Sequence, residues 1–266
     1  MFLHDYASSA VLSSPLKERV RGLLPKRLKK HRIHAGALKG CAIYTSWHDY
    51  PGAILGRTEK PLLEWFRQHT QDAQTWIDIG AHYGYTAIAL ARLVGERGRV
   101  FAFEPVLETA ACLARTKALN GLSQLTVVPL GLNAQAALST ELLPTVRGMA
   151  DSTIRQNRAE QQIFAGCFDS LWPSLAGDDP VIHGVKIDVQ GMELSVLDGM
   201  RQTLLLHHPV VVVELHAGVD RGTIINILTG CGYSSHGEPI EPGEDRQRPQ
   251  YRDNCSYAFY PNTCGS

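Results

Sequence analysis

Trp76-Ile-Asp-Ile-Gly-Ala-His-Tyr-Gly-Tyr-Thr86 decides the fold of this chain. An apolar run over 75–79 stops at a glycine and turns through Gly80-Ala81-His82-Tyr83-Gly84. It re-emerges as the helical spacing Ala87, Ile88, Leu90, Ala91 and Val94. That pattern reads as strand, glycine turn and helix, with glycines that allow close backbone approach and a helix N-terminus offering free N–H groups. A second strand-like run, Val100-Phe-Ala-Phe103, ends at Glu104, twenty residues past Gly84. An acid at that spacing is placed to hold the two hydroxyls of a ribose.

Charge narrows the ligand. A dinucleotide fingerprint reads Gly-x-Gly-x-x-Gly, whereas the spacing here is Gly80-x-x-x-Gly84 with Asp78 just before it. A carboxylate there repels phosphate but suits a ligand carrying an ammonium and a sulfonium, which is S-adenosylmethionine. The alternative is a plain βαβ turn with a satisfied aspartate.

At 266 residues the chain suits one α/β domain with a decorated N-terminus, and its composition is that of a globular protein. The formal net charge is zero but unevenly placed. Residues 16–40 hold nine basic side chains against Glu18 alone, a local +8 that leaves −8 on the remainder. A nucleic-acid enzyme would carry its basic surface around the cleft, so no nucleic-acid partner is expected. Six scattered cysteines lack metal-finger spacing and read as reduced thiols, with Cys255 and Cys264 near enough in sequence to pair. No apolar run is long enough to span a membrane, and the start lacks a signal-peptide pattern. A cytoplasmic location is expected.

Along the chain, residues 1–59 read as an N-terminal extension and 60–266 as the cofactor-binding domain. Leu16, Val20, Leu23, Leu24 and Leu28 form an apolar stripe among basic residues, broken by Pro25 into two short helices or a kinked one. Such a segment suits peripheral contact with anionic lipid or a lid, against the plainer reading of a solvated helix on the domain edge. Residues 41–56 suggest a short hairpin, and Lys60-Pro61 opens a helix that commonly shields a cofactor. Strands are expected at 75–79, 99–104, 124–128, 184–189 and 209–215. Helices are expected at 83–94, 107–119, 191–206 and 220–231. The alternation predicts a Rossmann-like, mostly parallel sheet with helices on both faces. Residues 131–181 break the rhythm and suggest a strand pair or loop over the cleft, including the turn-like Gly148–Thr153. Residues 236–253 read as a loop, and Tyr257-Ala-Phe-Tyr260 as an antiparallel edge strand.

Ligands of open α/β sheets bind outside the carboxyl ends of the strands. Asp78, Glu104, Gly131, Asp188, Gln190, Glu214 and His216 fall there. Strand alternation puts Lys186 and Asp188 on one face, where Asp188 is the natural partner of the lysine. It likewise aligns Glu214 with His216, a candidate proton acceptor near neutral pH. Lys186, Asp188, Glu214 and His216 form the candidate catalytic set. No metal site is read from the sequence, and whether a divalent ion is needed stays open.

Trp76–Tyr85, Phe103-Glu104-Pro105, Val185-Lys-Ile-Asp-Val-Gln-Gly-Met-Glu193 and Val213-Glu-Leu-His216 together resemble the FkbM family of S-adenosylmethionine-dependent methyltransferases. The resemblance runs in consistent order over roughly residues 60–235. It implies that Asp78, Gly80 and Gly84 line the methionine end, that Glu104 holds the ribose, and that Thr86 meets the methionine carboxylate. Ala81, His82, Tyr83, Pro105, Gly131 and Asp188 complete the expected cofactor set. The family's usual Asn in the glycine turn is His82 here, and its Lys-Ile-Asp-Val-Glu-Gly reads Lys186-Ile-Asp-Val-Gln190-Gly. A Gln cannot ionise, which puts an acid/base or metal role at that position in doubt. The family implies O-methylation of a hydroxyl on a sugar, polyketide or other natural product, with a small-molecule acceptor; a homodimer stays open. Two rivals remain: a non-catalytic accessory protein tethered by residues 16–33, and a nicotinamide-dependent oxidoreductase. The missing middle glycine and Asp78 speak against the second.

Overall fold

The computed structural model describes Arg19 and residues 21–153, 160–177 and 180–262. A hairpin of β1 (Lys29–Arg32) and β2 (Ala42–Thr45) precedes two helices, α1 (Pro51–Leu55) and α2 (Lys60–His69). The chain then alternates through β3 (Thr75–Ile79), α3 (Tyr85–Val94), β4 (Arg99–Phe103), α4 (Leu107–Asn120) and β5 (Leu125–Val128). A small sheet follows, built from β6 (Gly131–Leu132), β7 (Ser139–Val146), β8 (Met149–Ala150) and β9 (Glu160–Gly166). Helix α5 (Phe168–Ala176) leads back to β10 (Gly184–Ile187), α6 (Glu193–Asp198), α7 (Arg201–His207), β11 (Val210–Leu215) and α8 (Arg221–Gly230). Two last strands, β12 (Glu238–Pro239) and β13 (Cys255–Phe259), close the main sheet.

That sheet has seven strands in the order β12-β13-β11-β10-β3-β4-β5, parallel from β11 to β5 and antiparallel at β13. The chain winds outward from β3 through β4 to β5, then returns to start again at β10. The order therefore reverses between β3 and β10, and the ligand crevice of such a sheet opens at that reversal. Alternating side chains feed two cores. Trp76, Val100, Ala102 and Val212 pack with α2, α3 and the β1–β2 hairpin on one face. Ile77, Ile79, Phe101, Phe103, Val185, Ile187 and Val213 pack with α5 to α8 on the other.

The doubly wound sheet and its helices lie where the periodicity puts them. Three details differ, each for a physical reason. The expected helix over 191–206 is two helices, because Gly199 sits against the Asn133 carbonyl, where a Cβ would lie 2.0 Å from the oxygen. The strand near 257–260 is not the edge: β13 is covered by β12, drawn from the stretch read as a loop. Residues 29–32, read as helix, pair as a strand with Ala42–Thr45; β2 supplies a buried partner, and tertiary pairing outweighs local spacing. Leu16 and Val20 of the apolar stripe lie outside the described residues, as does Cys264. Cys41, Cys112, Cys167, Cys231 and Cys255 are free thiols. No helix among the described residues is long and apolar enough to cross a membrane.

The extension also packs into the domain. Ile33, Ile43, Ala53 and Ile54 are buried in the first core, and the Asn120 carboxamide oxygen accepts from the Ala42 N–H at 2.8 Å. The sheet should carry the stability: Ile187→Ala, in the second core, should cost about 2–5 kcal/mol. Leu206→Ala, at an exposed site, should stay within about 0.5 kcal/mol. Urea unfolding of both variants checks the contrast.

Candidate active site

Lys186 stands in the middle of an otherwise apolar strand, 3% exposed. Register places it beside Asp78 of the neighbouring strand, and its Nζ lies 3.2 Å from Asp78 Oδ1 and 3.4 Å from Asp188 Oδ2. It also donates to the Gly80 carbonyl at 3.2 Å. Burial opposes its charge, but Asp78, Asp188 and Glu59 outweigh that and hold it protonated well above the usual lysine range. Asp188 was the partner expected from alternation; Asp78 is the second one. Thr86 Oγ1 donates to Asp78 Oδ2 at 2.7 Å, so Thr86 orients the aspartate in this structure.

Glu214 and His216 arrive from β11 and the residue just beyond it. His216 is fully buried, and its Nδ1 lies 2.5 Å from Oε1 of the equally buried Glu193. Its Nε2 faces Glu214 Oε1 at 3.4 Å and Asp188 Oδ1 at 3.5 Å, beyond good hydrogen-bond length. Burial lowers the imidazole's affinity for a proton, yet Glu193, Glu214 and Asp188 more than offset this and push its pKa up to about 11. Three surrounding carboxylates favour the protonated imidazole, in which Nε2 carries a hydrogen. Gln190, where the resembling family has a glutamate, donates its amide to Asp188 Oδ1 at 3.3 Å. An amide there avoids adding one more negative charge to a crowded carboxylate cluster.

The turn after β3 forms the other wall. Both Glu104 oxygens are held by backbone N–H groups, Oε2 by His82 and Oε1 by Val106, each at 2.9 Å. Burial raises the Glu104 pKa to about 8, against those two donors. The second lone pair on each oxygen remains for hydroxyl donors, which fits a ribose. His82 adopts φ +50° and its Nε2 donates to the Arg147 carbonyl at 2.9 Å; burial drops its pKa to about 3, so the ring is neutral. Tyr83 donates to Asp49 Oδ2 at 3.0 Å. Ala81 N–H pairs with the Phe103 carbonyl, Pro105 is half-buried after Glu104, and Gly131 is buried against Pro105. The glycines serve the protein's own packing. A Cβ on Gly80 (φ +79°) would lie 1.8 Å from the Asp188 carbonyl, and one on Gly84 would meet Leu113. Gly80 thereby lets the ends of β3 and β10 meet, and Gly84 lets the turn pack against α4.

The tip of the small sheet lies over this region, as its broken rhythm suggested. Arg147 and Gly148 touch His82 and Thr109, while Ser152 donates to the Gln190 carbonyl at 2.9 Å. Side chains that the sequence reading missed come from the extension and from α6. Glu59 is drawn into the field of Glu214, Asp188 and Lys186; burial and those acids raise its pKa to about 8. Tyr50 packs against His82 with ring centres 5.0 Å apart. Glu193 holds His216. The one available signal was the acid immediately ahead of Lys60-Pro61; nothing in the spacing marks Glu193 or Tyr50.

A parallel sheet reversing at β3 and β10, with an acid-and-glycine turn and a ribose-type acid after β4, defines a Rossmann-like methyltransferase that uses S-adenosylmethionine. The chain matches the family described as the methyltransferase FkbM domain over residues 78–235, and it belongs to that family. It is 28% identical over 192 residues to the hexuronic acid methyltransferase AglP of Haloferax volcanii, covering 71% of this chain and 75% of that one. Among solved structures, an FkbM methyltransferase from Methylobacillus flagellatus KT aligns with TM-score 0.49 at 18% identity, covering 79% of this chain. This chain spans 52% of that one. Aeropyrum pernix fibrillarin, solved with bound S-adenosyl-L-methionine, aligns with TM-score 0.45 at 12% identity, over 71% of this chain and 67% of that chain.

Two outcomes follow from the geometry. Lys186→Met should leave Asp78 and Asp188 facing each other without a cation and cost about 3–5 kcal/mol in urea unfolding. The same substitution made with Asp78→Asn should recover part of that loss. The second concerns Glu59. Its pKa rises from 4.5 unfolded to about 8 folded, so the unfolded chain releases the proton first. Its contribution to stability is therefore present below pH 4.5 and lost as pH rises toward 8. Melting curves at pH 5, 6.5 and 8 should show Glu59→Gln losing less stability across that window than the parent chain.

Proposed function

We propose that this methyltransferase O-methylates a hydroxyl group of a sugar or sugar-bearing natural product. The observation that carries the reading is the convergence of Asp188, Glu214 and the Glu59 carboxyl beside the cofactor turn. Carboxylates accept hydrogen bonds from polyols, and they repel a carboxylate acceptor. The relative from Haloferax volcanii is named for hexuronic acid, which supports a sugar-acid scaffold. The acidic wall directs the reaction to a ring hydroxyl of such a scaffold rather than to its carboxyl group.

S-adenosylmethionine supplies an electrophilic methyl on a positively charged sulfur. The chain's own part is to align the acceptor oxygen with that methyl and keep water out. Asp78, the glycine turn and Glu104 would hold the cofactor; the acids beyond β10 and β11 would hold the acceptor. The methyl would pass to the acceptor oxygen with the C–S electron pair left on sulfur, and the hydroxyl proton would pass to a carboxylate. Glu59 is the acid suited to that transfer in its ionised form, which with a pKa of about 8 is a stronger base than an ordinary glutamate and is populated fully only above that pH.

The test is methylation of a panel of neutral glycosides and uronates, followed by mild alkali. A methyl ether survives that treatment, whereas a methyl ester is hydrolysed; products that are all alkali-labile would overturn the hydroxyl reading. Glu59→Gln should slow turnover by roughly 10²-fold with cofactor affinity nearly intact. Asp78→Asn and Glu104→Ala should each weaken cofactor binding by about 1–3 kcal/mol in calorimetric titration, and unchanged affinity in both would remove the cofactor from this turn.

A further inference from the structure

We propose that Asp188, Glu214 and His216 form a binding site for one divalent cation of the magnesium or manganese type. One ligand atom from each lies within 4.8 Å of the others. The two distances from His216 Nε2, 3.4 Å to Glu214 Oε1 and 3.5 Å to Asp188 Oδ1, are close to the roughly 3 Å between neighbouring ligands of an octahedral ion with bonds of about 2.1 Å.

Three acidic or basic groups in one place are common without an ion, and a second observation makes this cluster different. His216 Nε2 and Glu214 Oε1 are buried and form no hydrogen bond, and they lie 3.4 Å apart. The other side of the imidazole is already committed: Nδ1 is bound to Glu193, itself fully buried. A carboxylate that accepts from one ring nitrogen fixes the tautomer and turns the other nitrogen's lone pair outward, which is the arrangement that supports a metal-ligating histidine. Here that nitrogen faces two carboxylates, and it carries a proton unless a metal ion takes the proton's place. Left bare, the arrangement is repulsive, so the position takes either a proton or a cation. Two hard oxygen ligands with one imidazole suit manganese and magnesium better than a thiolate-preferring ion. Lys186 does not fill the position, since its ammonium is held between Asp78, Asp188 Oδ2 and the Gly80 carbonyl. The site lies on the acceptor side and deepens the proposed reading, because a bound ion would orient a sugar's adjacent hydroxyls for transfer.

Binding of the ion is measured without any methyl acceptor. The full-length protein, stripped with a chelator, is titrated with Mn²⁺ while the free ion is followed by electron paramagnetic resonance. One Mn²⁺ per chain is expected, displaced by excess Mg²⁺. Glu214→Gln and His216→Ala should each weaken binding by at least about tenfold, and Glu193→Gln, which acts through the histidine, by about 10–100-fold. Melting curves keep the test sound if a variant is fragile. Mn²⁺ should raise the melting temperature of the parent chain and leave that of a cooperatively folded Glu214→Gln variant unmoved. No saturable binding, or binding that Glu214→Gln and His216→Ala both leave intact, overturns the site. If Mn²⁺ binds as described but no hydroxyl is methylated, the proposed function fails and the metal site stands.

Discussion

A single ammonium group holds the cleft together. Lys186 lies between two carboxylates from neighbouring strands and reaches the carbonyl that begins the glycine turn. In the low-dielectric middle of a sheet, one uncompensated charge costs several kcal/mol, whereas a lysine with two acids and a carbonyl is matched. The ends of β3 and β10 are thereby tied at the level where the chain must open a crevice. Gly80 completes the tie, since only a residue without a side chain lets the Asp188 carbonyl approach that closely. Cofactor wall and acceptor wall are thus positioned by the same few atoms.

The acceptor side poses a different electrostatic problem. Asp188, Glu214, Glu193 and Glu59 gather around Lys186 and His216, and of these Lys186, Glu214, Glu193 and His216 are buried. Groups of like charge at this range cannot all ionise without a partner, and the opposed shifts of Glu59 and Asp188 express that competition. Burial would raise Asp188, but Lys186 and His216 keep it ionised below the usual range; burial, Glu214 and Asp188 push Glu59 up to about 8 against the opposing pull of Lys186. The cluster thus divides into acids that hold charge and one that can exchange a proton. That division is a requirement of the proposed reaction, in which a hydroxyl proton must leave.

Much of this was legible in the sequence because it rests on periodicity and on local turn chemistry. Strand runs that alternate toward two cores, a glycine turn between strand and helix, and acids at strand ends all leave marks within ten residues. Lys186 was recognisable as paired because a lysine in an apolar strand has few alternatives. The unreadable parts depend on residues distant in sequence. Nothing near Glu193 shows that its carboxyl meets His216, 23 positions on, and Glu59 becomes part of the site only when α2 folds over the sheet. The pairing of Lys29–Arg32 with Ala42–Thr45 overrode a helical spacing for the same reason. A short segment follows whichever neighbour completes its hydrogen bonds.

Two departures from the family pattern can be understood together on these grounds. His82 and Gln190 each occupy left-handed backbone, at φ +50°, a conformation that Asn tolerates better than most residues. Each side chain makes a contact that gives the strained residue a purpose. The neutral His82 ring secures the Arg147 carbonyl, so the small sheet is anchored to the cofactor turn. Gln190 donates to Asp188 while its backbone carbonyl receives Ser152, anchoring the same sheet to the other wall. A glutamate at 190 would add a fifth carboxylate beside Asp188, Glu214, Glu193 and Glu59. The amide keeps the steric role and removes the charge. In this chain, then, the exchange of acid for amide belongs to the balance that the acidic wall demands, and it leaves Asp188 Oδ1 facing His216 and Glu214.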